Sequence, residues 1–126
     1  MEGEHTMKKP TKTPYRYSSC TVLRIVDGDT FDARINLGFG IFVKKRIRMW
    51  GINTPESRTR DLAEKKLGLA AKEHLKAHLA GGVCDIDSIE LGKYGRVIGI
   101  AYVEGKNINE RMLKTEGTTE YYGGKR

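Results

Sequence analysis

Cysteine, proline and tryptophan are scarce in this chain, at two, three and one among 126 residues. Two cysteines, Cys20 and Cys84, do not make a disulfide framework. Each falls in a strand-like stretch, so buried free thiols are expected, with a bridge between them left open. Pro10 and Pro14 sit near the start, which leaves Pro55 alone to punctuate the rest of the chain. No apolar run is long enough to span a membrane. Met1 to Ser19 is polar and lacks the apolar centre of a secretory signal, so the expectation is a protein that stays inside its cell, in the cytoplasm. No internal repeat is visible. What the chain has in excess is positive charge: 23 Lys+Arg against 16 Asp+Glu, a net +7 and a pI near 9.5. That balance suits a polyanionic partner, although surplus lysine can equally serve solubility.

The length fits one domain, expected over residues 19–126 behind a flexible leader at 1–18 that is rich in lysine and proline and poor in apolar residues. From Cys20 to Val26 a mostly apolar stretch reads as a strand, broken by Asp27-Gly28-Asp29 as a tight turn. Thr30 to Leu37 alternates Phe31, Ala33, Ile35 and Leu37 against polar neighbours, and Ile41 to Trp50 alternates Val43, Lys45, Ile47 and Met49 against Lys44, Arg46, Arg48 and Trp50. Short connections between these strands predict an antiparallel meander rather than βαβ units. Leu67, Ala71, Leu75 and Leu79 recur at helical spacing within Leu62–Leu79. Gly68 costs about 1 kcal/mol inside a helix, which places the start of its regular part near Leu67. Gly81-Gly82 stops it. Val83–Leu91 and Arg96–Val103 read as a hairpin around Gly92-Lys93-Tyr94-Gly95. Asn107 or Asn109 caps a short helix running to Glu116, and Thr118 to Arg126 reads as a tail. Five strands with a helix between the third and fourth and a short trailing helix match the five-stranded oligonucleotide-binding barrel, a mainly β fold with helices.

Three blocks carry chemistry: Asp27-Gly28-Asp29-Thr30, the run from Arg48 to Glu56, and Lys93-Tyr94-Gly95-Arg96. Together they offer hard oxygen ligands for a divalent cation, a carboxylate base and two guanidinium groups. Those are the parts that phosphodiester cleavage requires, namely charge neutralisation on the phosphoryl oxygens and an in-line nucleophile. Each block also has a plain reading. Asp-Gly is common turn chemistry. Arg48 shares a strand face with Lys44 and Arg46, and by period alone that face is a solvated basic one. Arg96 could brace a hairpin, Glu56 could cap its loop through Ser57, and Tyr94 could be a surface aromatic. His74 and His78 stand one helical turn apart, a zinc-compatible spacing with no third ligand to complete it. Trp50 is expected to pack in a core rather than stack on a base.

The three blocks, in this order and on this strand plan, resemble the staphylococcal nuclease (thermonuclease) family in its compact bacterial and phage form, from Thr21 to Tyr122. The resemblance implies the same barrel and a monomeric, calcium-dependent nuclease of low sequence specificity that hydrolyses DNA and possibly RNA to 3′-phosphate ends, in a bacterial or phage-infected cell. It implies one calcium ion ligated by Asp29, by Asn53 and by the backbone carbonyl of Thr54, with Asp27 close behind. Glu56 matches the carboxylate that activates water, and Arg48 and Arg96 match the pair that holds the phosphate. Lys93, Tyr94 and Tyr122 fall where the family lines its nucleotide pocket. One departure is Asn53, where the family usually has aspartate; an amide keeps an oxygen donor but removes one negative charge. Another is a chain that ends soon after Tyr122, without the family's long final helix. The alternative is a barrel that binds single-stranded nucleic acid without cutting it.

Overall fold

The structure is a computed structural model that describes Pro10, residues 15–92 and residues 95–123. Its strands are β1 (Tyr15–Asp27), β2 (Thr30–Gly38), β3 (Ile41–Met49), β4 (Gly51–Asn53), β5 (Val83–Leu91), β6 (Val97–Val103), β7 (Lys106–Asn107) and β8 (Thr119–Tyr121). Helix α1 (Leu62–His78) follows β4, and α2 (Ile108–Met112) follows β7. The predicted meander is present, since β1–β2 and β2–β3 pair antiparallel. β1 also pairs with β5, and β5 with β6. A parallel ladder between β3 and β6 (Ile47↔Val97, Arg48↔Ile98, Met49↔Gly99) closes these five strands into the barrel that the sequence predicts. Closure leaves none of the five long strands with an open edge along its whole length.

The alternation in β2 and β3 sets the inside of the barrel. Phe31, Ala33, Ile35, Ile47 and Met49 are buried there beside Cys20, Cys84 and Ile86, and α1 closes the barrel with Ala71, Leu75 and Leu79. Cys20 and Cys84 lie directly opposite each other across β1 and β5 as free, buried thiols. Burial pushes them up to about 11 and about 12 respectively, so both are protonated at neutral pH. No helix among the described residues is long and apolar enough to cross a membrane.

Four boundaries differ from the sequence expectation. β1 starts at Tyr15, inside the segment expected to be leader, because Arg16 anchors it. That guanidinium binds Asp87 of β5 through two nitrogens and lies 4.4 Å from the ring centre of Tyr102. Helix α1 is regular from Leu62, since Asp61 caps it by accepting from the N–H groups of Ala63 (3.0 Å) and Glu64 (3.1 Å). Helix α2 stops at Met112, with turns filling the stretch on to Gly117. The supposed tail contains β8, which pairs with β4 (Gly51↔Tyr121, Ile52↔Glu120, Asn53↔Thr119). A two-strand ribbon of three residues a side has no alternation long enough to read.

The two candidate caps of α2 separate in role. Asn107 is the cap and accepts from the N–H of Glu110 at 3.0 Å. Asn109 is fully buried; its Oδ1 accepts from the Ala101 N–H (3.0 Å), and its Nδ2 donates to the Trp50 carbonyl (2.7 Å) and the Gly99 carbonyl (3.1 Å). Asn109→Ala removes three hydrogen bonds to backbone groups at once, although the Gly99 carbonyl keeps the Trp50 N–H at 2.8 Å. It should lower the unfolding free energy by about 3 kcal/mol, read as a fall in the urea midpoint without a change in slope. A loss below about 1 kcal/mol would show that water replaces the amide.

Candidate active site

The turn from β1 to β2, the end of β3 and the loop between β4 and α1 converge on one small cavity of about 120 Å³. It is lined by Asp27, Asp29, Thr30, Arg48, Thr54, Glu56 and Arg96. Six of the residues singled out from sequence therefore meet at one place, although they span Asp27 to Arg96.

Asp29 is the centre of this arrangement. It is only 7% exposed, and its Oδ1 accepts from the Thr30 hydroxyl (2.8 Å) while its Oδ2 accepts from the Thr54 N–H (3.0 Å). The guanidinium of Arg48 stands 3.5 Å from the same Oδ2 and donates to the Met49 carbonyl at 2.8 Å. Arg48 does not sit on a solvated basic face as strand period alone suggests. Its side chain is 13% exposed, because the β1–β2 turn and the loop after β4 cover that end of β3. Asp27 accepts a hydrogen bond from the hydroxyl of buried Ser57. Glu56 is exposed at the cavity wall, and its N–H donates to Glu64 Oε2 at 3.1 Å; the Ser57 hydroxyl, its expected capping partner, donates to Asp27.

Arg48 and Arg96 also line a larger adjoining cavity of about 680 Å³, walled by Trp50, Leu91, Tyr121 and Tyr122. The ring of Tyr122 meets Trp50 edge-on with centroids 4.9 Å apart, and its hydroxyl donates to Glu120 at 2.8 Å. Arg48 lies 5.9 Å from the ring centre of Tyr121. Tyr122, expected in a nucleotide pocket, lines this cavity; Trp50, expected to pack in a core, is instead half-buried on the cavity wall, and Tyr121 is a wall residue that sequence reasoning did not assign. Only the β4–β8 pairing, invisible in the sequence, brings them there. Lys93 and Tyr94 lie outside the described residues.

Asn53 is not among the residues that line the small cavity around Asp29. It is half-buried in β4 and lines a third cavity, of about 350 Å³, with Thr54, Pro55, Glu64 and Leu67. No group of three or more His, Cys, Asp or Glu among the described residues is clustered for a metal, which leaves the His74–His78 spacing without a partner ligand. A hard cation needs no such cluster, since calcium accepts hydroxyl, carbonyl and water oxygens beside one or two carboxylates. Thr54 is buried, and its hydroxyl has no hydrogen-bond partner among the described residues. A carboxylate and an unpartnered hydroxyl on residues lining the same cavity are a donor set that fits such an ion.

The description "Staphylococcal nuclease homologue" belongs to the family whose profile matches residues 46–123, more than half of the chain. The chain belongs to this family. Among its relatives, an uncharacterized protein of Bacillus anthracis is 32% identical over 75% of this chain and 43% of its own length. An uncharacterized endonuclease of Escherichia coli is 26% identical over 79% of this chain and 59% of its own. A thermonuclease of Staphylococcus intermedius is 27% identical over 90% of this chain and 66% of its own. The chain thus spans 43% to 66% of the length of these relatives. The barrel, the helix after β4 and the short C-terminal helix are those of the staphylococcal nuclease fold.

Helix α1 packs closely against the backbone of the loop that carries Glu56, and Gly68 is the reason it can. A Cβ on Gly68 would stand 2.2 Å from the Glu56 carbonyl oxygen and 2.6 Å from the Ser57 nitrogen. Gly28 makes a similar approach, since its Cβ would meet the Ala71 Cβ at 2.7 Å. Gly68 is therefore a close-contact residue, not a weak point of the helix. Glycine-to-alanine within an ordinary helix gains about 1 kcal/mol. Gly68→Ala should instead cost about 1–3 kcal/mol in chemical denaturation, as α1 is pushed off the Glu56 backbone. A gain in stability would show that the helix can shift without consequence.

Proposed function

We propose that the protein is a calcium-dependent nuclease that hydrolyses phosphodiester bonds in DNA, and in RNA, with low sequence specificity and leaves 3′-phosphate ends. The observation that carries this reading is the convergence of Asp29, Thr54, Glu56, Arg48 and Arg96 on one small cavity that opens beside an aromatic-walled one. Members of the staphylococcal nuclease family are typically calcium-dependent, and two of the relatives bear the names endonuclease and thermonuclease.

In this reading Asp29 and Thr54, with Asn53 and Asp27 behind them, would hold one calcium ion, whose chemistry there would be Lewis acidity and charge neutralisation at the phosphate. Arg48 and Arg96 grip the remaining phosphoryl oxygens. A guanidinium fork matches two oxygens at once and strengthens its hold as charge builds on them; a lysine ammonium lacks that geometry. Glu56, at the exposed wall, takes the proton from the attacking water or orients it. Trp50, Tyr121 and Tyr122 offer ring surface to the adjoining base. The asparagine at position 53, facing the neighbouring cavity, favours a weaker ion site than an aspartate would give. It is also the observation behind a second reading, a barrel that binds nucleic acid without cutting it.

Purified protein should cleave single-stranded DNA with calcium and stop when chelator is added. Glu56→Gln should lower the rate about 10²–10⁴-fold, and Arg48→Ala or Arg96→Ala about 10²–10³-fold. Undiminished cleavage in all three variants would remove the assignment. Salt-sensitive binding with no cleavage in any metal would favour the second reading.

Asn53→Asp adds a formal negative charge beside Thr54. Titration calorimetry should show tighter calcium binding to this variant than to the parent. An unchanged calcium affinity would place residue 53 outside the ion's reach.

A further inference from the structure

The β2–β3 hairpin runs from the candidate active site to the far end of the barrel, and its outer face is not an ordinary solvated sheet. Register places Arg48 opposite Thr30, Arg46 opposite Asp32, Lys44 opposite Arg34 and Phe42 opposite Asn36. These side chains point away from the core, which takes Phe31, Ala33, Ile35 and Ile47 from the same strands. On the neighbouring strand Arg24 pairs with Asp32 and extends the same face. Arg46 satisfies the one acid, through contacts of 2.8 and 3.2 Å. That contact, with Lys44 and Arg24 adding to it, holds the Asp32 carboxyl below the usual carboxylate range, so Asp32 stays charged and spoken for. Among the described residues, no ion pair balances the positive charge of Arg24, Arg34 or Lys44 along the face.

Aromatics stand at the tip end of this row of cations. The Arg34 guanidinium lies 4.7 Å from the ring centre of Phe42, and Phe42 keeps half of its surface exposed. At the tip Phe39 is wholly exposed, on a turn where Gly38, Phe39 and Gly40 all have positive φ (87°, 57° and 74°). A bulky residue is unfavourable in that conformation, where glycine or asparagine would sit at less cost. An aromatic kept there, out of contact with the core, points to a use outside the fold.

We propose that this outer face is a track for a single strand of nucleic acid, which it leads between the exposed aromatic tip at Phe39 and the cavity at Arg48. The proposal rests on the cleavage reading above for what happens at the Arg48 end. Six residues of strand separate Arg48 from Phe42, about 20 Å at strand spacing, enough for several phosphates beyond the one being cut. A row of cations that ends in exposed rings suits a backbone with unpaired bases, because bases inside a duplex have no free face to stack. An anionic lipid surface would also attract an apolar tip with basic flanks. The row is nevertheless continuous with the cavity, and its charge lies along the strand rather than behind the tip, which favours the nucleic acid.

Binding of a fluorescent dodecanucleotide and of a dinucleotide, both in chelator so that nothing is cut, tests the track. The parent should hold the dodecanucleotide about tenfold or more tighter than the dinucleotide. Phe39→Ser, and separately Arg34→Ser with Lys44→Ser, should remove most of that advantage while leaving calcium-dependent cleavage of the dinucleotide unchanged. The double variant should also flatten the salt dependence of dodecanucleotide binding by about 1.4 in the log–log slope, 0.7 for each lost cation. A parent that binds both lengths alike, or variants that bind the dodecanucleotide like the parent, would overturn the track. So would binding to phosphatidylglycerol vesicles that Phe39→Ser abolishes without touching dodecanucleotide affinity. If nothing is ever cut but the length advantage exists and falls in the variants, the cleavage reading fails and the track stands.

Discussion

A buried carboxylate is tolerated only when donors surround it, and the strands around Asp29 are placed so that they do. Its main-chain carbonyl accepts from the Met49 N–H at 2.8 Å, and its side chain accepts from Thr30 and Thr54 and faces Arg48. One residue thereby ties the β1–β2 turn to the end of β3 and to the loop after β4. None of these contacts is strong by itself, at about 0.5–1.5 kcal/mol net for a neutral hydrogen bond and somewhat more to a charge. Leaving the carboxylate without them would cost more than each contributes. The turn, the strand end and the loop therefore order together, and the residues of the candidate site arrive in place as a consequence of satisfying one acid.

Helix α1 supplies the second half of that constraint. Its N-terminal cap at Asp61 is ordinary, and its apolar stripe could dock on many surfaces. What fixes its position is the absence of side chain at Gly28 and Gly68, which lets the helix approach the β1–β2 turn and the Glu56–Ser57 backbone more closely than any Cβ allows. Glu56 is exposed and could otherwise wander with its loop. Pressed between the helix and the Ser57–Asp27 hydrogen bond, its backbone is given one place to be. A base that acts on a bound water needs that positioning before it needs any particular acidity.

Much of this was legible in the chain. The 2-residue period of β2 and β3 and the four-residue recurrence in α1 come from burial on one face, and burial is what periodicity records. The Asp-Gly-Asp, Thr-Pro-Glu and Arg96 blocks were legible because chemistry restricts residue type at short spacing. Three things were not. β8 is too short and too polar to carry a period, so Trp50 and Tyr121 could not be assigned to the aromatic wall. Gly68 looked like a penalty to α1, because helix propensity is a local quantity and the backbone it approaches is eleven or twelve residues away. Arg48 looked solvated, because strand period reports only which face a residue takes and not what folds over that face. Each miss is a non-local contact overriding a local signal.

The closure of the barrel decides which of these contacts become chemistry. Arg48 ends β3 and Arg96 precedes β6, strands separated by β4, α1 and β5 in the chain. The two guanidiniums share a cavity because β3 and β6 pair in parallel, with Arg48 opposite Ile98. This is the one parallel ladder among the described strands, and a parallel pair cannot be made by a hairpin. It exists only when the whole intervening chain has folded. Two like charges brought together there repel, at a cost lessened by Asp29 beside Arg48. A phosphate between the two arginines would reverse the sign of that interaction. The fold thus gathers, at its own seam, two guanidiniums and three carboxylates around one small cavity.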